Sequence, residues 1–213
     1  MKIKENLKLI INTLPKQLTL VAVSKTKPKS DILLAYSAGQ KIFGENKALE
    51  LAKKAEELPS DIQWHMIGHL QRNKVKYIAP FVSLIHGVDS IKLLKEIDKR
   101  AAKNSRIIDC LLQVHIAKES TKFGFNISEI NQAILDANEF NNIRITGLMG
   151  MATFTNDTKQ IKEEFKSLKT LFDSIKNKTI TILSMGMSGD YKLAIQEGST
   201  MVRIGSSIFG KRN

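Results

Sequence analysis

Cysteine is almost absent from this 213-residue chain, and its single occurrence, Cys110, excludes an intramolecular disulfide bond. Cys110 lies in an apolar run, where we expect a small buried thiol and not a reactive one. The sequence also lacks an apolar run close to the ~20 residues that cross a bilayer. Its beginning resembles an amphipathic helix and contains no long apolar segment of the kind found in signal peptides. We therefore predict a cytoplasmic protein without a membrane partner.

Acidic residues are in the minority, since 33 lysines and arginines against 21 aspartates and glutamates give a formal net charge of +12. Such an excess attracts anionic ligands and is compatible with a nucleic-acid surface. The lysines, however, are spread over predicted helices, as at Lys53 and Lys54, and aromatic residues do not interleave with them. We favour solvated helix faces and predict no nucleic-acid partner, although the charge alone does not decide between the two interpretations.

Short apolar, β-branched runs alternate with segments of helical period along the whole chain. This alternation favours right-handed crossovers and a parallel sheet. Eight repeats favour a closed (β/α)₈ barrel, an α/β fold of the TIM-barrel type, over an open sheet. The predicted strands span residues 19–24, 41–44, 63–67, 84–88, 109–116, 144–149, 180–185 and 200–204.

The helical segments show apolar residues at a period of about 3.6. A helix over about 3–14 precedes the first strand, and we expect it to cover the place of an eighth helix, because the chain ends soon after the eighth strand. No linker or change in composition marks a boundary, so we predict one domain over residues 1–213. The predicted buried faces are Leu49, Ala52, Ala55 and Leu58; Leu93, Leu94, Ile97 and Ala101 after the N-cap Ser90; Ile130, Ala133, Ile134 and Ala137 after Asn126 or Ser128; and Ile161, Phe165, Leu168, Phe172 and Ile175.

In barrels of this type function gathers at the carboxyl ends of the strands. Lys25 directly follows the first predicted strand. A lysine drawn toward the barrel interior has its pKa lowered by desolvation, which frees the amine as a nucleophile. The alternative is a lysine whose ammonium group extends outward from the rim. Its position alone does not distinguish the two.

Other polar residues stand at further strand ends. Glycines and serines follow strands seven and eight, where loop amides of this fold commonly bind phosphate. Ser188 is also suited to cap the helix through Leu193 and Ala194, and Asn46 to cap the helix it precedes. The residues concerned are Glu45, Asn46, His65, His69, Met185, Gly186, Ser188, Gly189, Arg203, Gly205, Ser206 and Ser207.

Two motif matches are rejected. Residues 205–212 approach the nucleotide P-loop, but Arg212 stands where serine or threonine is needed. His65 and His69 have the spacing of a zinc-binding helix, but Met66 replaces the glutamate between them. Strand geometry would also separate them by roughly 13 Å. We therefore predict no metal site.

Seven strings in the sequence resemble, in order, those of the pyridoxal phosphate homeostasis protein family. They cover the chain from Val21 to Arg212 and read VAVSKTKP, FGENKALE, WHMIGHLQRNK, KFGF, GLMGMA, LSMGMSGDYKLAI and GSTMVRIGSSIFGKR. The resemblance implies a barrel similar to the N-terminal domain of alanine racemase. It also implies that pyridoxal 5′-phosphate (PLP) is held as a Schiff base by Lys25.

The resemblance implies further site residues. Ser188, Gly205 and Ser206 would bind the phosphate, and Arg203 would face the pyridine nitrogen. Asn46 would lie beside the ring hydroxyl, while His65 and Met185 would line the pocket. It gives His69 no role.

The same resemblance bears on catalysis. Because arginine cannot accept the proton of the ring nitrogen, Arg203 there would weaken the electron sink of PLP. Alanine racemases carry a second domain that contributes another base, and we expect eight βα units to leave no room for it. We predict a monomeric, non-catalytic PLP carrier and buffer that delivers the cofactor to PLP-dependent apo-enzymes. A low-activity PLP enzyme, such as an amino-acid racemase, and a nucleic-acid-binding module are the alternatives.

Overall fold

A computed structural model describes residues 2–119 and 123–210. Eight strands form a closed barrel in which each strand pairs in parallel with the next, and the eighth pairs with the first. The predicted (β/α)₈ barrel is thereby confirmed. The strands are β1 (Thr19–Val23), β2 (Ile42–Glu45), β3 (Gln63–Met66), β4 (Leu84–Val88), β5 (Ile108–Val114), β6 (Ile143–Gly150), β7 (Ile182–Met187) and β8 (Met201–Ile204).

A helix follows every strand, and one more precedes β1. The helices are α1 (Lys2–Thr13), α2 (Lys29–Ser37), α3 (Ala48–Glu57), α4 (Val75–Ile78), α5 (Ile91–Lys103), α6 (Ile130–Ala137), α7 (Thr158–Ile175), α8 (Tyr191–Gln196) and α9 (Ser206–Phe209). The short α9 follows β8, and α1 packs on it, with Asn6 Nδ2 donating to the carbonyl of Ile208 at 3.1 Å. The predicted N-terminal helix is present and lies beside the eighth βα unit.

The two faces of each strand build two apolar cores. Side chains alternate along a strand, so every second residue points into the barrel and the others face the helices. The larger, helix-facing core contains Phe43, Phe165 and Phe172. The smaller core fills the barrel interior with Val21, Leu84, Leu111, Met149 and Met201.

The buried face of α3 differs from the prediction. Leu49 is 52% exposed, whereas Ala48, Leu51 and Lys54 are buried. The buried face runs through residues 48, 51, 55 and 58. Its first two members each lie one residue before the predicted ones. Lys54 was assigned to a solvated helix face, and that assignment is wrong, because its ammonium group enters a buried polar cluster.

The other helix faces agree with the prediction. The predicted faces of α5, α6 and α7 are buried, with Ile134 and Ile175 half-buried. Ser90 caps α5 by accepting from Leu93 N–H at 3.3 Å. Asn126 begins the turn before α6, where the Glu129 carboxylate accepts its backbone N–H at 2.6 Å.

Cys110 is completely buried, and burial raises the pKa of its thiol.

None of the helices in the described ranges is both long and apolar enough to cross a membrane.

Candidate functional site

Four polar side chains from four strands meet inside the barrel. They are His65 of β3, His86 of β4, Ser184 of β7 and Arg203 of β8, each at most 4% exposed. His65 Nδ1 lies 3.0 Å from His86 Nε2, and His86 Nδ1 lies 3.1 Å from Ser184 Oγ. Arg203 Nη1 donates to Ser184 Oγ at 2.6 Å and to the Ser184 carbonyl at 2.9 Å. The four form one continuous hydrogen-bonded chain, the interior relay.

One donor order satisfies every hydrogen-bonding group of the interior relay. A guanidinium can only donate, so Ser184 Oγ accepts from Arg203. No other residue in the described part of the chain accepts the Ser184 hydroxyl proton, so that proton goes to His86 Nδ1. In this order His86 carries its proton on Nε2 and donates it to His65 Nδ1. His65 then carries its own ring proton on Nε2.

Burial keeps both histidines of the relay neutral. It lowers the pKa of His65 to about 3, and it lowers the pKa of His86 well below its ordinary value, helped by the charge of Arg203. Burial also lowers the pKa of Arg203 to about 10, against the opposing effect of Asp190, so the guanidinium stays charged at neutral pH. Arg203 therefore places a fixed positive charge in the barrel interior.

Arg203 has more N–H groups than the hydrogen bonds it donates to the described residues. It gives three N–H groups to Ser184 Oγ, the Ser184 carbonyl and the Gly150 carbonyl. A guanidinium has five, so two remain without an acceptor among residues 2–119 and 123–210. Within the same residues no carboxylate lies within 4 Å of it, although buried arginines are normally paired. The site suits an electron-rich group that accepts hydrogen bonds.

Lys25 follows β1, the strand that neighbours β8, at the carboxyl end of the barrel. It is half-buried and follows β1 in a turn closed by the bond from Lys27 N–H to the Ser24 carbonyl at 3.0 Å. Val21, on β1, faces the barrel interior and is in register with Arg203. Lys25 comes four residues after Val21, beyond the end of β1, so it lies nearer to the barrel mouth than Arg203 does.

The loops after β7 and β8 are joined by a hydrogen bond. Ser188 Oγ accepts from the backbone N–H of Gly205 at 3.1 Å. Gly205 lies against β1, because a Cβ there would come 3.2 Å from the Val23 carbonyl oxygen. Ser206, exposed, begins α9 directly after it. The predicted cap role of Ser188 is not realised, because Asp190 takes the N-cap position of α8 and accepts from Met187 N–H at 2.6 Å.

Asn46 follows β2 at the same end of the barrel and is half-buried. Its backbone lies against the loop after β3, since a Cβ on Gly68 would come 2.5 Å from the Asn46 carbonyl oxygen. The cap position of α3 belongs to Lys47, so the alternative role of Asn46 as a helix cap is not realised.

Met185 does not line this interior. It is completely buried in the helix-facing core, whereas Ser184, the residue before it, points inward to the relay. Because neighbouring strand residues face opposite sides, the structure puts Ser184 where the sequence prediction put Met185.

His69 lies apart from His65. Its Nδ1 is 3.0 Å from Asp89 Oδ2, and its ring stacks on Phe123 with the centroids 4.0 Å apart. In the part of the chain that the structure describes, no group of three metal-binding side chains is found. Lys211 and Arg212 of the rejected P-loop match and Lys122 of the KFGF string lie outside the described residues.

Two relay residues were missed by the sequence analysis. His86 and Ser184 lie within strands, whereas the residues predicted for the site were those at and after the strand ends. A usable pattern existed, because His86 follows inward-facing Leu84 by two residues and Ser184 follows inward-facing Ile182 by two. A polar residue on the inward face of a buried strand indicates a partner inside the barrel.

Comparisons with known proteins fit this architecture. The family model described as "Alanine racemase, N-terminal domain" matches residues 1–213. A pyridoxal phosphate homeostasis protein from Aquifex aeolicus is 40% identical over 91% of this chain and 86% of its own length. The protein of that name from Helicobacter pylori is also 40% identical, over 89% of this chain and 86% of its own length. The protein of that name from Escherichia coli is 34% identical over 93% of this chain and 88% of its own length.

Solved structures give the same picture. PipY from Synechococcus elongatus, solved with PLP bound, is 33% identical and superimposes with a TM-score of 0.89, covering 98% of this chain and 100% of PipY. An alanine racemase from Clostridium difficile is 15% identical with a TM-score of 0.82, covering 99% of this chain and 57% of the racemase. The likeness to the racemase concerns the fold alone.

Proposed function

The chain belongs to the pyridoxal phosphate homeostasis protein family, and from this membership we propose that it binds PLP at the barrel mouth and acts in the homeostasis of that cofactor. The proposal is carried by one observation above all. Arg203 is a buried cation whose two spare N–H groups have no carboxylate beside them among the described residues. Such a group suits the lone pair of an uncharged pyridine nitrogen.

The other residues around the mouth fit the remaining parts of PLP. Lys25 would hold the aldehyde carbon covalently. The loop residues Ser188, Gly205 and Ser206 would bind the phosphate, with Asn46 and His65 beside the ring. When bound, PLP supplies an electrophilic aldehyde and a ring that withdraws electrons.

The charge pattern favours holding PLP over reacting with it. A charged arginine beside the ring nitrogen disfavours protonation of that nitrogen. The two buried histidines are neutral at neutral pH, so they do not act as acids toward it. The ring would stay unprotonated and would withdraw electrons weakly. We infer a single-domain, monomeric carrier and buffer that releases PLP to PLP-dependent apo-enzymes.

Reduction with borohydride followed by mass mapping tests the covalent site. We expect the adduct on Lys25, and we expect the absorption band of the bound cofactor to disappear in Lys25→Ala. Lys47→Ala, which changes an exposed lysine after β2, should keep both. An adduct on another residue would overturn the assignment. Amino-acid turnover well above that of free PLP would overturn the carrier role.

A further inference from the structure

A buried group of charged side chains lies behind the turn that carries Lys25. Lys54 of α3 donates from Nζ to Glu45 Oε1 and to Glu50 Oε1, both at 2.8 Å. Lys54 is 7% exposed, and Glu45 is completely buried. We name Lys54, Glu45 and Glu50 the turn clamp. It lies between α3 and the helix-facing side of β2, outside the barrel interior.

The turn clamp holds the chain on both sides of Lys25. Before Lys25, the Ser24 carbonyl accepts from Lys54 Nζ at 2.9 Å, and Ser24 Oγ donates to Glu45 Oε1 at 2.6 Å. After Lys25, the Thr26 N–H donates to Glu50 Oε1 at 2.7 Å. The two residues that flank the lysine are thus tied to the same ammonium group, one directly and one through Glu50.

The backbone at Thr26 needs such support. Its φ is 63°, in the left-handed region that favours glycine, and threonine is β-branched. A strained residue of this kind persists only where its surroundings over-determine it. The bond between Thr26 and Glu50 is therefore part of what keeps the turn in this shape.

A contribution to the stability of the fold does not by itself account for the turn clamp. Buried ion pairs are often no more stabilising than apolar residues of the same volume. Glu45 Oε2 is buried without a hydrogen-bond partner in the described part of the chain, and burial raises the pKa of Glu45. Partial burial acts the same way on Glu50, but hydrogen bonds from Lys54 and Thr26 leave its pKa below the ordinary value. Apolar residues at both positions 45 and 54 would fill the same space without an orphaned carboxylate oxygen.

We propose that the turn clamp positions Lys25 for covalent capture of PLP, an inference that rests on the proposed function. In that step the neutral Lys25 amine bonds to the aldehyde carbon. The carbonyl oxygen leaves as water and takes the two protons that the amine loses. Lys54, Glu45 and Glu50 do not touch the ligand; they set the direction from which the lysine side chain approaches it.

Two measurements on Lys54→Met separate positioning from general stability. The first is the rate at which PLP is captured covalently, followed by absorbance. The second is the affinity for pyridoxine 5′-phosphate, which carries an alcohol in place of the aldehyde. Because small misplacements of a reacting group are costly, we expect capture to slow on the order of 10- to 100-fold. Affinity for the alcohol analogue should be unchanged, and exposed Lys53→Met should alter neither quantity.

Glu50→Gln supplies a second variant, since it weakens the hold on Thr26 but retains the Lys54–Glu45 pair. We expect slower capture here too, and this variant decides the matter should Lys54→Met fail to fold. Unchanged capture in the folded variants would overturn the proposal, as would an equal loss of capture and of analogue affinity. Absence of capture at Lys25 in the unmodified protein would refute the proposed function itself, and the role of the turn clamp would fall with it.

Discussion

His86 Nε2 lies 3.0 Å from His65 Nδ1 on the neighbouring strand, and Ser184 Oγ links the other ring nitrogen of His86 to Arg203. Every member of this chain is satisfied when Arg203 donates to Ser184, Ser184 donates to His86, and His86 donates to His65. Both imidazoles are buried and neutral, so neither ring can reverse by taking up a proton near pH 7.

We therefore predict that both His65 and His86 carry their ring proton on Nε2 at pH 7. Nitrogen NMR of ¹⁵N-histidine-labelled protein reports the tautomer directly. Ser184→Ala removes the acceptor between Arg203 and His86, so it should release His86 from this order. A proton on Nδ1 of either ring in the unmodified protein would contradict the relay.

The same burial predicts an acid-dependent loss of stability. The pKa of His65 is about 3 in the fold and about 6.5 in the unfolded chain, so between these values the unfolded chain binds the extra proton. The free energy of unfolding should fall as the pH drops through that window. By linkage one such histidine accounts for about 2 kcal/mol between pH 7.5 and 5. Urea titrations should show that the free energy of unfolding falls less with pH in His65→Asn than in the unmodified protein. An equal fall in both proteins would show that His65 is not its cause.

The joined loops after β7 and β8 predict selectivity for the phosphate. Hydrogen bonds to charged groups contribute about 1.5–3 kcal/mol, so Ser188→Ala should weaken PLP binding by roughly 10- to 100-fold. Binding of pyridoxal, which lacks the phosphate, should change little. Calorimetric titration of both ligands makes the comparison. Ser207→Ala, at an exposed residue of α9, is the matched control; a similar loss for both ligands would argue against a phosphate contact.

Gly147 is predicted to tolerate no side chain. A Cβ on it would lie 1.8 Å from the carbonyl oxygen of Ile182, with which it pairs across β6 and β7. Gly147→Ala must spread these strands, and overpacking of this severity costs about 3 kcal/mol or more. Thermal unfolding should show a large drop in Tm. Gly189→Ala, where nothing lies within 4 Å of the added carbon, should melt like the unmodified protein.

Where a local pattern determines the structure, the prediction from sequence was confirmed. Alternating strands and helices predicted the barrel, and the Ser90 cap followed from local hydrogen bonding. The predicted buried face of α3 was wrong, because both Leu49 and Leu51 suit a buried face and only packing against the barrel selects Leu51. Lys54 was misassigned for the same reason: its partners Glu45 and Ser24 come near only after β1 and β2 pair.

The relay shows a second limit. Its members come from β3, β4, β7 and β8, and only barrel closure brings them together. The resemblance implied Met185 as a pocket residue, whereas the structure turns its neighbour Ser184 inward. A shift of one residue in a strand exchanges its two faces.

The pairing of β1 with β8, in which Thr19 lies opposite Met201, also bears on how the protein is made. A ribosome releases the chain from its N-terminus, so β1 would wait through the synthesis of six further strands before its second neighbour exists. Until then the growing sheet has two open edges, and unpaired edges are where chains associate wrongly. Helix α1, which packs on α9, would likewise lack its final partner. Folding intermediates of this chain therefore expose unpaired strand edges until β8 closes the barrel.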